Sequence, residues 1–312
     1  MNSNILRPMR RQLHTVLGVL LLSASSLAWA QTQAMPIKHV DGVTVIRANP
    51  EKAVVLDLAI LDIVHALDGS VAAVPKAKFP AHMDVYDEDR YAKVGTLFKP
   101  DLDAISALSP DLIIVGRRST PAYADLAKIG PTLNLAFDQQ NLVESVAQNT
   151  RTLAAVYNRQ DQAEPLLKRL DASVKELNKQ TARAGKGLLV FTTGGKLISQ
   201  GPGSRFGVLF KGYGVQPAMT DFPDEGKGVL LTSELLQSLN PDWIYVIDRD
   251  AGLGREGVAA SELLKTAQVG QTTAGKKKQI VYLDPTNWYL LDGAGLTTMQ
   301  ANVDQLLQAL RR

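Results

Sequence analysis

Cysteine is absent from all 312 residues, which excludes a disulfide framework, a thiolate metal site and a lipid-modified cysteine at a cleavage site. Histidine is scarce, and His39, His65 and His82 stand far apart, with His65 on an apolar helical pattern, so a clustered zinc or manganese site is not expected. The motifs G-x-S-x-G, G-x-x-x-x-G-K-[ST] and H-E-x-x-H are all missing, which removes the common hydrolase and nucleotide-hydrolysing chemistries. Long apolar runs are missing too, apart from "VLGVLLLSASSLAWA" near the start, and that one falls short of the roughly 20 residues a spanning helix needs. Arg7, Arg10 and Arg11 precede it and Ala28-Trp29-Ala30 closes it, the pattern of a secretory signal over residues 1–30 cut after Ala30. The expected location is the periplasm, with no stable membrane insertion after cleavage. Those three arginines are the only ionic side chains in the segment, so the mature chain balances its 31 acidic residues. The sequence pI of about 8.9 is therefore no sign of a nucleic-acid partner, and no basic block with interleaved aromatics suggests one.

What is present is a phrase written twice. "SPDLIIVGRR" (Ser109 to Arg118) returns as "NPDWIYVIDR" (Asn240 to Arg249), pairing Pro110 with Pro241, Asp111 with Asp242 and Arg118 with Arg249 at one constant offset. Before each copy lies a short amphipathic segment, "DLDAISAL" and "TSELLQSL", with Asp101 and Thr232 as N-caps. The Pro-Asp pair stops each helix, and an apolar run follows that suits a strand covered on both faces of a parallel sheet. Further alternation of strands and helices around each copy predicts two α/β units of similar plan. Between them residues 141–158 and 161–183 read as helices, the second opening with a capping box, Asp161-x-x-Glu164, and carrying Leu166, Leu167, Leu170, Val174 and Leu177 on one face. The chain divides into a signal (1–30), a first lobe (31–158), a connecting helix (159–184) and a second lobe (185–312).

Ligands of open α/β sheets collect at the carboxyl ends of the strands, where Arg118 and Arg249 would arrive from opposite sides. A guanidinium there suits an anion rich in oxygen acceptors. Arg205, in "SQGPGSRFGVLF", is expected in the first turn of a helix starting at Ser204, where the helix dipole disfavours a cation and an anion would offset it. In "DPTNWYLLDGAGL", Trp288 and Tyr289 are adjacent in a turn, one side chain pointing inward and the other, Tyr289, toward the ligand, able to stack or to offer a phenolate to a hard metal.

Taken together, "VGTLFKPDLDAISALSPDLIIVGRRS", "KIGPTLNL", the long helix, "GPGSRFGVL", "NPDWIYVIDRD" and "YLDPTNWYL" resemble the periplasmic iron-siderophore binding proteins of ABC importers, nearest to the branch taking ferric catecholates of the enterobactin and petrobactin type. The resemblance spans essentially the whole mature chain. It implies an α/β fold of two Rossmann-like lobes bridged by a long rigid helix, the class III, helical-backbone plan, with limited closure and no catalysis. It places an arginine triad at Arg118, Arg205 and Arg249, with Arg117 out of register as a further contact and Trp288 beside Tyr289 in the ligand set. Tyr289 maps to the tyrosine that ligates iron in homologues that take tetradentate catecholates. The histidine that accompanies it has no counterpart, and Glu225 in "FPDEGKGV" stands nearest, either as an oxygen ligand or as a solvated loop acid beside a hexadentate siderophore that needs neither. Asp103 and Glu234 fall where the family docks on its permease. Iron is then cargo inside the ferric siderophore, no resident cofactor is implied, and the protein is a monomer.

Two other readings compete. Haem uptake by a similar two-lobed protein needs an axial Tyr or His and apolar walls, which three arginines disfavour. "GLGREG" (Gly252 to Gly257) is a literal G-x-G-x-x-G, the dinucleotide fingerprint of an enzyme, but Arg249, Asp250 and Ala251 separate its first glycine from the strand.

Overall fold

Each copy of the repeat builds the middle of a sheet. The computed structural model describes residues 34–224 and 226–311; the signal segment and Glu225 lie outside the described residues. The chain opens with an antiparallel hairpin, β1 (Ala34–His39) and β2 (Gly42–Arg47). Next come β3 (Ala53–Val55), α1 (Leu58–Ala66), β4 (Ala73–Lys76), β5 (Ala92–Thr96), α2 (Leu102–Leu108), β6 (Leu112–Val115), α3 (Tyr123–Leu126) and β7 (Thr132–Asn134). Their sheet is wholly parallel in the order β5-β4-β3-β6-β7. The hairpin closes its β7 end, with Val40 N–H donating to Asn134 O (3.1 Å) and the Thr44 hydroxyl to Thr132 O (3.0 Å).

Helices α4 (Leu142–Tyr157) and α5 (Gln160–Thr181) lead to the second half. It runs β8 (Lys186–Thr193), β9 (Lys196–Gln200), α6 (Val208–Lys211), β10 (Gln216–Pro217), β11 (Val229–Leu230), α7 (Ser233–Leu239), β12 (Trp243–Asp248) and α8 (Arg249–Gly252). Three short helices follow, α9 (Ala260–Leu263), α10 (Ala267–Gln271) and α11 (Thr273–Lys277), then β13 (Ile280–Tyr282) and α12 (Leu296–Leu310). The two halves share β3-β6-β7 and β8-β12-β13 as parallel triplets centred on the repeat strand. They differ beyond that: β9 is antiparallel to β8 and β11 to β9, so the second sheet is mixed.

The grammar of the repeat has a physical reason at each letter. The Asp101 carboxylate accepts from Ala104 N–H (3.0 Å) and the Thr232 hydroxyl from Leu235 N–H (3.2 Å), capping α2 and α7 as expected. Both helices end on a left-handed residue, Ser109 (φ 48°) and Asn240 (φ 37°), directly before the proline. The aspartate then ties the repeat to the first strand of its sheet: Asp111 accepts from Glu51 and Lys52 N–H (2.7 and 2.9 Å), and Asp242 from Lys186 N–H (2.8 Å).

Helix α5, 22 residues, spans about 33 Å at roughly 1.5 Å per residue. Its cap position is Arg159, two residues ahead of the expected Asp161, so the Asp161-x-x-Glu164 box does not form; Glu164 pairs instead with Arg151 of α4 (2.9 Å). Its buried face, Ala163, Leu167, Leu170, Val174, Leu177 and Thr181, packs on α12 and α4. One continuous apolar core therefore runs through both halves, and the repeat strands alternate across it. Leu112, Ile114, Trp243, Tyr245 and Ile247 face this shared core, while Ile113 and Val115 face one separate outer cluster and Ile244 and Val246 another. A polar tie reinforces it. Buried Asp62 of α1 accepts from Thr297 and Thr298 N–H (2.8 and 3.0 Å) and from the Thr298 hydroxyl (2.7 Å), capping α12, whose own cap position is Gly295.

Candidate functional site

The carboxyl ends of β6 and β12 meet at a single turn. After β13 the chain makes one π-helical turn, Thr286–Leu290, and then places Asp292 at φ 56°, buried (5% exposed). Arg117 and Arg118, in the turn that follows β6, reach this segment from the first half. Arg117 Nε donates to Asp292 Oδ2 (2.9 Å). Arg118 donates to the carbonyls of Leu290 (2.8 Å) and Tyr289 (2.9 Å) and to Asp292 Oδ1 (3.2 Å). From the second half, Arg205 Nη1 lies 2.9 Å from Asp292 Oδ1, and its Nη2 donates to Tyr289 O (3.1 Å). Arg249 opens α8; its Nε donates to the Tyr289 hydroxyl (2.9 Å) and its Nη1 to Thr193 Oγ1 (3.1 Å).

The fold explains why these side chains converge. Arg249 follows β12 directly, whereas β6 stops earlier and Gly116 sets the turn that carries Arg117 and Arg118; a Cβ on Gly116 would sit 2.5 Å from the Asp57 carboxylate. Asp57 caps α1 through Ala59 N–H (2.9 Å) and Ile60 N–H (3.2 Å), and burial pushes its pKa up although the nearby Arg118 pulls it down. Arg205 sits in the turn ahead of α6, not in a first helical turn as the sequence suggested. Its guanidinium is sandwiched between the rings of Phe206 (4.4 Å) and Tyr289 (4.6 Å). Burial lowers its pKa to about 10, partly offset by Asp292, so it stays charged at neutral pH.

Four guanidiniums thus gather around Asp292 and Asp250, the latter 3.5 Å from Arg249, with buried Asp57 near Arg118, and positive charge is in surplus. Arg117, Arg205 and Arg249 keep partly open side chains, while Arg118 is buried (8% exposed), both of its terminal nitrogens donating to the Tyr289–Asp292 segment. Such a cluster suits a multivalent oxyanion.

Of the residues singled out from sequence, Arg117, Arg118, Arg205, Arg249 and Tyr289 come together here. Trp288 does not face a ligand: its side chain is fully buried, edge-on to Tyr213 at 6.1 Å, because consecutive residues of the turn point to opposite sides. Glu225 lies outside the described residues. Asp103 and Glu234 are exposed at matching positions in the first turns of α2 and α7. His82 and His65 are closer than their sequence separation suggested, ring centroids 6.3 Å apart, with His82 paired to Asp62 (2.8 Å). Among the described residues no group of three His, Cys, Asp or Glu is placed to hold a metal ion.

The Gly252 to Gly257 motif is no dinucleotide turn, since α8 intervenes and Gly252 closes it. Gly252 packs on Pro285, whose carbonyl oxygen lies 2.8 Å from where a Cβ would be. Asp292 escaped the sequence reading because its partners lie far away in the chain, Arg117 by 175 residues and Arg118 by 174, and nothing local marks it as an ion-pair hub.

The family described as Periplasmic binding protein matches residues 54–286. Petrobactin-binding protein YclQ of Bacillus subtilis is 32% identical over 272 residues, 86% of this chain and 85% of its own. Its crystal structure superposes with a TM-score of 0.83 at 30% identity, covering 90% of this chain and 99% of that one. Ferric-anguibactin-binding protein FatB of Vibrio anguillarum is 30% identical over 278 residues, 87% of this chain and 86% of its own. The periplasmic catecholate-siderophore binding protein VctP of Vibrio cholerae has a TM-score of 0.80 at 29% identity, covering 87% of this chain and 99% of its own.

Proposed function

The chain belongs to the periplasmic binding protein family, and on that premise we propose that it captures an anionic ferric siderophore of the catecholate type between its lobes and passes it to an ABC permease in the inner membrane. It is a binding protein and not an enzyme. The observation that carries the reading is the surplus of guanidinium charge around Tyr289 and Asp292, built by both halves of the chain. A ferric tris-catecholate bears a charge of about −3, which several partly desolvated arginines complement. Iron enters only within this cargo, with Tyr289 and Glu225 the oxygen-bearing side chains assigned to it where the siderophore leaves coordination open. The mature protein, cleaved after Ala30, acts in the periplasm as a monomer; no helix among the described residues is long and apolar enough to cross a membrane.

The test is a fluorescence titration of the mature protein, using Trp243 and Trp288, against a ferric catecholate, a ferric hydroxamate, ferric citrate and haemin. Saturable binding of the ferric catecholate is expected, weakened in Arg249→Ala by more than about 1 kcal/mol for the lost charge-assisted contact. Preference for haemin, or unchanged affinity in Arg249→Ala, contradicts the reading.

A further inference from the structure

Phe98 is 73% exposed, the highest value among the large hydrophobic residues described, and it is held there. The turn after β5 is braced at every step. Thr96 N–H donates to Lys99 O (2.9 Å), Lys99 N–H to the Thr96 hydroxyl (3.1 Å) and Asp101 N–H to Val94 O (3.2 Å). Gly95, at φ 84°, lets the strands of this turn close: a Cβ there would stand 2.5 Å from both Asp101 N and Lys99 O. Neighbouring Leu97 is buried and anchors the turn, so its tip displays the phenyl ring in a fixed direction. That direction is toward the arginine cluster, since the Arg118 guanidinium carbon lies 5.9 Å from the ring centroid. On the other side of the cluster, Tyr289 stands under Arg205 (4.6 Å) and Arg249 (5.5 Å), with Phe191 5.8 Å from it. Each half of the chain thus sets one aromatic ring against the cluster, exposed Phe98 beside Arg118 and half-buried Tyr289 beside Arg205 and Arg249. An isolated exposed phenylalanine is ordinary. A rigidly displayed one at the edge of an anion site offers an apolar face beside the charge, which an aryl oxyanion uses and an aliphatic carboxylate does not.

We propose that Phe98 is a ligand-contacting residue that determines specificity, taking the face of an aryl ring of the ferric chelate and favouring catecholates over aliphatic ferric carboxylates. The inference rests on the reading of this site as a ferric-siderophore site. Phe98→Ala, Phe98→Leu and Phe98→Tyr, checked for wild-type melting, are titrated with a ferric tris-catecholate and with ferric citrate. Phe98→Ala is expected to weaken catecholate binding roughly five- to tenfold, the range of an aromatic contact. Phe98→Leu falls between, Phe98→Tyr stays within about twofold, and whatever affinity ferric citrate has is unchanged. Wild-type affinity of Phe98→Ala for the catecholate, or an equal loss for both ligands, overturns the inference alone. A wild-type protein that takes ferric citrate and refuses the catecholate overturns the inference and the underlying reading together.

Discussion

Asp292 shares two oxygens among Arg117, Arg118 and Arg205, and this arrangement holds the cluster together. Without that carboxylate the guanidiniums would repel one another in a partly desolvated space. Asparagine keeps the shape and tolerates the left-handed backbone at φ 56°, so Asp292→Asn isolates the charge. The substitution is expected to cost about 3 kcal/mol, as breaking a buried ion pair does, and to lower the ligand-free melting temperature. A bound ferric trianion returns the missing charge, so the rise in melting temperature on adding ferric catecholate should be larger than in the wild type. Equal ligand-induced rises in the two proteins would show that Asp292 and the ligand do not share these arginines. The same logic orders the arginines: Arg118, with carbonyls and Asp292 as partners, anchors the turn, and the more open three meet solvent.

At the level of elements, the two aspartates of the repeat do unequal work. Asp111 holds two backbone N–H groups at the entry to β3, and Asp242 holds one at the start of β8. Each such hydrogen bond contributes about 1 kcal/mol net, so Asp111→Ala is expected to cost about 2 kcal/mol and Asp242→Ala about 1, measured by urea denaturation. Equal costs would mean water replaces the lost acceptor at both places. The helices and strands of the repeat were legible because their signals are local: caps at Asp101 and Thr232, then an apolar run. The mixed character of the second sheet was less so, although its cause is also local. Gly194 (φ 53°) and Gly195 (φ 74°) form the two-residue loop that turns β8 back into β9, the pairing that a Gly-Gly dipeptide between apolar runs favours. What no local signal carries is convergence. Arg117, Arg118, Arg205 and Arg249 could be nominated from their strand ends and turns, but the carboxylate that three of them gather around belongs to a segment far along the chain.

For the whole molecule, the shared core predicts a protein that unfolds as one body. Asp62 satisfies two backbone donors and a hydroxyl at the start of α12, so Asp62→Ala is expected to cost roughly 2–4 kcal/mol. Tryptophan fluorescence and far-UV circular dichroism should shift together to lower denaturant, whereas separate transitions would show that the lobes unfold independently. Delivery is a separate property of the whole: exposed Asp103 and Glu234, one on each lobe, form the proposed permease contact. Replacing both with alanine should leave siderophore affinity intact and lower cellular iron uptake; normal uptake by the double variant rules that contact out. The tie between Asp62 and Thr298 also constrains timing. Besides His82, the buried Asp62 of α1 takes its partners from a segment 235 residues later, and much of the apolar surface around α1 is covered by that same late helix. A growing chain therefore cannot finish its interior until about residue 300 has been made.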